Sequence, residues 1–529
     1  MVETPISFQD SGYFSKLIVD YLDQNSALKP FYNRFPKLEN FEAQIQEKSI
    51  NYPFENRKIL VESLLEQYKN TELSEISLLH IKSLEDENTF TITTGHQLNL
   101  FSGPLYFIYK IVATINVCKA LKTQFPDKNF VPIYWMATED HDFEEINFFQ
   151  YKDKKIQWNV PHSGPVGRKA TNGLEQVYEQ FEKELGKGEA AIYLKKMLKK
   201  SYLEHQNLAE ATRFFANELF KNEGLVILDG DAKKLKELFI PYLKKELLEQ
   251  KSFLNIQETI SELSTYKIQV QPREINLFYI EDTLRERIIF EKNNYVVQNT
   301  NIRFNEDSLL KEIENYPEKF SPNVVLRPLY QEVLLPNLTY IGGGGEIAYW
   351  LELKSNFDYF DVCFPMLLVR NSALILNEKQ VKKATKLGIT TEDLFLKQTQ
   401  FIQKKTKDIS KMQLDFTPQK EHLKAQFEAL YLVAKQTDPS FEKAVKAQEK
   451  KQIKGLEALE KRLLKAEKQQ HKEQLDRMIA LQNELFFHDS LQERKLNFSS
   501  FYEEYGVKFL EHVSKSLQPF ATHFTLITL

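Results

Sequence analysis

The chain has 529 residues, with 70 Lys and Arg against 74 Asp and Glu and a formal net charge of -4. Hydrophobic residues make 42% and charged residues 27%, which supports packed cores and excludes wholesale disorder. The balance of charge argues against a dedicated nucleic-acid binder, and two cysteines, Cys118 and Cys363, build neither a disulfide framework nor a four-thiolate zinc site. The most apolar stretch, residues 100–118, is interrupted by Gly103-Pro104, Lys110 and Asn116, so no membrane span is expected. The opening MVETPISFQD lacks the basic start and apolar run of a secretory signal. The expected location is the cytoplasm.

Residues 1–85 read as a helical segment, with apolar stripes over Phe14–Leu22 and Arg57–Tyr68. From 86 to 160 the texture becomes that of a sheet. A β-branched strand, Thr89–Thr94, leads into Gly95-His96-Gln97, and a helix is expected to open at Gly103-Pro104 because proline suits the first helical position. A second strand, residues 130–137, ends in Thr138-Glu139-Asp140-His141-Asp142. Residues 161–320 read as insertions of helices and short strands around a core strand near 224–231, where Leu228 leads into Asp229-Gly230-Asp231. From 321 to 377, two further strands (338–341 and 364–369) run into Gly342–Gly345 with Glu346, and into Arg370-Asn371-Ser372.

Residues 378–495 are rich in Lys, Glu and Gln. Thr390-Thr-Glu-Asp393 resembles a capping box with Asp in place of Glu, opening a helix to about Gln413. After Pro418 and Pro439 break the pattern, one helix is expected from Phe441 to about Phe487. Its seam of Leu456, Leu459, Leu463 and Ala466 fails between Glu467 and Gln474 and resumes shifted at Leu475, Met478 and Leu485. That predicts a helical coiled-coil arm about 65–70 Å long. Residues 496–529 are expected to return to the core through a last strand at 524–529.

Five apolar strands, each ending in polar or glycine residues and mostly followed by a helix, describe an open, largely parallel α/β sheet. Ligands of such sheets bind beyond the carboxyl ends of the strands, where all five unusual clusters would gather. Gly95, His96 and Gln97 suit an anion at a strand-to-helix junction, and Gly103 would allow close approach of a ligand. Glu139, Asp140 and His141 suit proton transfer or the binding of an ammonium; an acid-rich first helical turn is the plain alternative. No metal is expected there, since zinc takes at least three well-spaced nitrogen or sulfur ligands. Gly343 and Gly344, within four adjacent glycines, would let a ligand touch backbone, with Glu346 accepting from an amine or hydroxyl. Arg327 and Arg370, the latter beside Asn371, suit carboxylate clamps or, equally, structural ion pairs. Cys118 and Cys363 read as small core residues.

The stretches Thr94-Gly-His-Gln-Leu-Asn-Leu-Phe-Ser-Gly-Pro-Leu-Tyr-Phe-Ile-Tyr-Lys110, Trp135-Met-Ala-Thr-Glu-Asp-His-Asp142, Leu326-Arg-Pro-Leu-Tyr-Gln331 and Gly342-Gly-Gly-Gly-Glu-Ile-Ala-Tyr-Trp350 resemble, together and over essentially the full length, the cysteine-adding enzymes of bacillithiol biosynthesis. The resemblance implies a Rossmann-like core with connecting-peptide insertions and a coiled-coil domain used in homodimerisation. The reaction it implies adds cysteine to the amino group of glucosaminyl malate, with ATP or another adenine nucleotide as the activating partner. The core of that family also looks like that of class I aminoacyl-tRNA synthetases, whose two histidines around a glycine are reduced here to the glycine of Phe101-Ser-Gly-Pro104. The alternatives are a nucleotidyltransferase on the same fold acting on another small acid, and a non-enzymatic assembly protein whose arm is the working part. Neither nucleic acid nor membrane is an expected partner.

Overall fold

The computed structural model describes residues 4–487 and 490–529. Its central sheet grows from the threonine-rich strand β1 (Thr89–His96), whose β-branched residues suit a strand covered on both faces. Hydroxyls buried there need partners, and the neighbouring strand supplies them: Thr93 donates to Asn337 Oδ1 at 2.8 Å and Thr94 to the Ile341 carbonyl at 2.8 Å. Four more strands complete the sheet: β2 (Asn129–Met136), β3 (Val226–Asp229), β4 (Asn337–Gly342) and β5 (Met366–Val369). Their order is β5-β4-β1-β2-β3, and every pairing is parallel. The strand order therefore reverses between β1 and β4, the place where such sheets open a crevice. Each of the five segments expected from sequence is a strand of this one sheet.

Helix α1 (Tyr106–Gln124) carries the chain from β1 to β2. It starts two residues after Pro104, because Phe101, Ser102 and Gly103 turn through φ of 48°, 73° and 62°. Such a turn is strained for non-glycine residues, and Asn497 holds it by donating from Nδ2 to the carbonyls of Phe101 (2.9 Å) and Gly103 (2.6 Å). Helix α2 (Gly344–Leu351) follows β4. None of the four glycines 342–345 at this junction has a positive φ; Gly342 is required by close approach, since a Cβ there would lie 2.9 Å from Glu346 Cβ and from the Tyr340 ring.

The insertion builds a five-stranded antiparallel sheet in the order 303–304, 294–297, 284–291, 277–281, 320–322. A third sheet joins the chain ends: the strand His523–Thr528 pairs parallel with Ser372–Leu376 and antiparallel with Ile6–Ser7. The tail thus ends in a strand beside the one that follows β5.

The arm differs from its expected form in three respects. The helix opened by Thr390 ends at Phe395 instead of running to about Gln413, and a separate helix spans Gln398–Ile409. Pro418 and Pro439 lie in the first turns of helices α3 (Thr417–Ala434) and α4 (Pro439–Gln470), so they start helices where the pattern alone shows breaks. The expected single helix is α4 followed by α5 (Lys472–Phe486), broken at His471 inside the segment where the seam fails. At 1.5 Å per residue α4 is about 48 Å long, not 65–70 Å. Helices α3 and α4 form an antiparallel hairpin, in which Tyr431 donates to Glu449 at 2.8 Å and Lys420 pairs with Glu460 at 2.5 Å. Among the described residues, no helix is long and apolar enough to cross a membrane.

Candidate functional site

A cavity of about 640 Å³ opens at the carboxyl ends of β1, β2, β4 and β5, beside the reversal of strand order. Its walls carry opposite charge.

The acidic wall follows β2. Glu139 is buried and accepts from Lys236, whose Nζ also donates to the Phe320 carbonyl at 2.7 Å. Burial raises the proton affinity of Glu139 above that of an ordinary carboxyl, against the opposing charge of Lys236. Asp140 behaves oppositely. Burial disfavours its charge, but hydrogen bonds from His141 and Gln97 and the Arg285 charge outweigh that and hold its carboxyl at about 2. Gln97 Nε2 bridges Asp140 (3.2 Å) and Glu145 (3.0 Å).

The cationic wall follows β1, β4 and β5. Lys110, buried on α1, lies 2.6 Å from Glu346 and donates at 2.7 Å to the Gly95 carbonyl. Glu346 also accepts from Tyr340 (2.7 Å) and from the Gly343 N–H (2.9 Å). Although burial raises it, these partners hold its carboxyl at about 2. Arg327 donates to the Tyr349 hydroxyl at 3.1 Å, and Arg370 pairs with the buried Glu493 at 2.7 Å.

Of the residues singled out from sequence, Gly95, Gln97, Glu139, Asp140, Arg327, Gly343, Glu346 and Arg370 line this cavity. Gly344 lines a smaller cavity next to it. Three others lie off the wall. Gly103 belongs to the strained turn, where a Cβ would lie 2.4 Å from Asn99 Cβ. Asn371 donates to the Gln518 carbonyl at 2.8 Å. The His141 ring is exposed, and its Nδ1 accepts from Arg285. The His96 side chain lies outside the described residues. The fifth strand-end cluster also misses the wall: Asp231 is held by Arg168 at 2.7 Å and Asp229 accepts from Thr138.

Asp140, His141 and Asp142 bring potential ligand atoms within 4.8 Å of one another. The guanidinium on His141 Nδ1 puts a positive charge where a cation would have to sit. Both cysteines are buried, and burial pushes the Cys363 thiol up to about 11, far from a nucleophile's range.

Sequence reasoning passed over Lys110, Arg285 and Arg494, all on the wall. Lys110 did leave a signal, as a lone lysine within the apolar run 100–118. Arg285 and Arg494 left none, because they arrive from the insertion and from the segment after the arm.

Comparison with known proteins decides the family. Residues 1–371 match the model of the bacillithiol biosynthesis BshC N-terminal Rossmann-like domain, and residues 373–529 that of the BshC C-terminal coiled-coil domain. The chain belongs to the BshC family. It is 60% identical over 523 residues to a relative from Flavobacterium psychrophilum, covering 99% of this chain and 98% of the relative. It is 59% identical over 524 residues to one from Flavobacterium johnsoniae, covering 99% of each. To a more distant relative from Bacillus cytotoxicus it is 29% identical over 491 residues, covering 88% of this chain and 90% of that one. Each of these is provisionally named cysteine ligase BshC. The BshC family is the one that the four motif stretches resemble.

Proposed function

We propose that this BshC-family chain is a ligase forming an amide between the carboxyl of cysteine and the amino group of glucosaminyl malate, the last step of bacillithiol synthesis, with an adenine nucleotide as activating partner. One observation carries the reading: a single cavity with a carboxylate wall facing a wall of Lys110, Arg327 and Arg370. The first suits ammonium and amine groups, the second carboxylates and phosphates.

A carboxylate is a poor electrophile, and a bound nucleotide supplies the phosphoryl or adenylyl group that turns its oxygen into a leaving group. The chain's own residues have three tasks. Asp140, ionised at neutral pH, holds an ammonium in place together with Gln97. Glu139, whose burial raises its affinity for protons, takes the proton that the attacking amine loses. Arg327 and Arg370 hold carboxylate groups and meet the negative charge that grows on the leaving group. No tightly bound metal is proposed.

The partner proposed for the arm is a second copy of the chain. Leu430, Leu432 and Val433 on α3 and Phe441 and Leu459 on α4 are exposed apolar side chains, and a groove of about 890 Å³ runs between the two helices past Leu423 and Leu456. Apolar residues on a helical hairpin call for a facing helix. Neither nucleic acid nor membrane is proposed as a partner.

The test is mass spectrometry of protein incubated with glucosaminyl malate, cysteine and MgATP, each omitted in turn. A cysteinyl amide that requires every component, with AMP or ADP released, is the expected result. Nucleotide turnover without cysteine would instead favour transfer to another small acid.

A further inference from the structure

Behind the tetraglycine turn lies a second cavity of about 200 Å³, between Phe14, the start of α2 and the segment that follows the arm. It adjoins the main cavity, and Gly343, Gly345, Arg370 and Arg494 are on the walls of both. Three independent features give it an unbalanced positive character.

The first is the N-terminus of α2. Gly344 and Gly345 occupy its first two positions, where backbone N–H groups have no intrahelical acceptor. A Cβ on Gly345 would meet nothing within 4 Å, so this end of the helix fronts open space. The second is Arg370, which is only 4% exposed. Its Nη1 donates to the Asn371 carbonyl (2.8 Å) and its Nη2 to Glu493 (2.7 Å), but among the described residues its Nε–H has no acceptor. That Nε lies 3.7 Å from where a Cβ of Gly343 would be, and both Arg370 and Gly343 line the two cavities. A buried donor left unmade is costly, which marks the place of a missing acceptor. The third is the absence, among the described residues, of a free counter-charge. Among them Glu493 is the one carboxylate on the wall, and Arg370, Ser372 and the Ala373 N–H already take it. Lys267 and Arg494 on the same wall have no carboxylate within ion-pair distance among the described residues.

We infer that this second cavity is a subsite for a compact dianionic oxyanion, held by the N–H groups of Gly344 and Gly345, the Arg370 Nε–H and the side chains of Lys267 and Arg494. Its volume suits one phosphate group or the dicarboxylate end of a larger molecule, since pockets for whole drug-sized ligands start at about 300 Å³. Under the proposed reaction, on which only this choice of source rests, the dianion is either a nucleotide phosphate or the malate end of the acceptor.

The test is isothermal titration of the full chain with inorganic phosphate, pyrophosphate and malate, each alone. At least one is expected to bind saturably with Kd below about 1 mM. Gly345→Ala and Lys267→Gln should each weaken that binding about tenfold or more, with unchanged melting temperature. Both substitutions are mild, the first in open space with an ordinary helical φ and the second at the surface. Arg327→Gln, which touches the main cavity alone, should leave the affinity within about threefold. Binding by phosphate or pyrophosphate alone assigns the subsite to the nucleotide, and binding by malate alone assigns it to the acceptor. No saturable binding at about 10 mM, or binding lost in Arg327→Gln while Gly345→Ala and Lys267→Gln match the natural chain, overturns the subsite. No turnover is involved, so failure here leaves the amide-forming reading to its own experiment.

Discussion

Lys110 Nζ lies 2.6 Å from a Glu346 carboxylate oxygen and donates at 2.7 Å to the Gly95 carbonyl, so one buried ammonium ties α1, α2 and the end of β1 around a single cavity wall. Glu346 in turn takes the Gly343 N–H and the Tyr340 hydroxyl. The shape of the glycine turn therefore depends on a charge pair and not on glycine alone.

Removing one member of that pair strands the other. Lys110→Met should cost about 2–3 kcal/mol in urea unfolding, at the low end for a buried pair because Glu346 is partly exposed. Amide formation should fall by about 100-fold or more. Adding Glu346→Gln should restore much of the stability, since no lone charge remains, and none of the activity.

Glu139 and His141 should separate cleanly, although two residues apart in sequence. Glu139→Gln can still accept from Lys236 but leaves that buried ammonium without its counter-charge, so it should cost about 3 kcal/mol of stability and, in the folded fraction, lower kcat by about 100-fold or more. His141→Ala, which removes an exposed ring bonded to Arg285, should lower it less than about tenfold. Steady-state rates of amide formation decide the comparison, and equal losses would count against Glu139 as the proton acceptor.

Two glycines from the same sequence reading should also part. Gly103→Ala meets Asn99 at 2.4 Å and has φ of 62°, so it should cost about 1–3 kcal/mol, and its activity loss should track unfolding. Gly343→Ala meets only ordinary contacts at 3.5 and 3.7 Å. It should melt like the natural chain, yet raise the KM for whichever substrate fills that wall. Thermal melts and KM values of the two variants provide the check.

At the root of the arm, Asp393 closes a capping box by accepting the Thr390 N–H at 2.9 Å, and it pairs with Lys404 (2.6 Å) and Lys405 (2.8 Å). Burial works against its charge, but these partners prevail and hold it at about 2, below the ordinary 3.8. A carboxyl with a depressed folded pKa stabilises the fold above its unfolded pKa and loses that contribution as pH falls through the folded one. Asp393 should thus contribute about 2 kcal/mol near neutrality, lost between about pH 4 and pH 2. Asp393→Asn should remove it at pH 7 and flatten the acid limb, as measured by denaturation at stepped pH.

Shortening the arm tests its role without touching the core. A variant in which a short Gly/Ser linker replaces residues 417–465 keeps Glu493 and Asn497, which hold Arg370 and the turn before α1. It should stay folded and sediment as a monomer, whereas the full chain is expected to sediment as a dimer. Sedimentation velocity of the two settles the matter.

By itself the sequence determined the core strands and their endings. The core strands carry apolar or β-branched residues on both faces because both faces are covered, and each stops where polar residues or glycines begin. The lost seam between Glu467 and Gln474 coincides with the break at His471, where periodicity alone predicts one continuous helix, since a helix must stay in phase to bury one stripe. The tertiary structure alone decided which strand ends share a cavity and who pairs with whom inside it. Lys236 reaches Glu139 across 97 residues, Glu493 reaches Arg370 across 123, and Asn497 reaches Phe101 across 396. Insertions and a returning tail bring these partners together. Local periodicity reports only which face of an element is buried, so it cannot say which distant charge will be buried beside it.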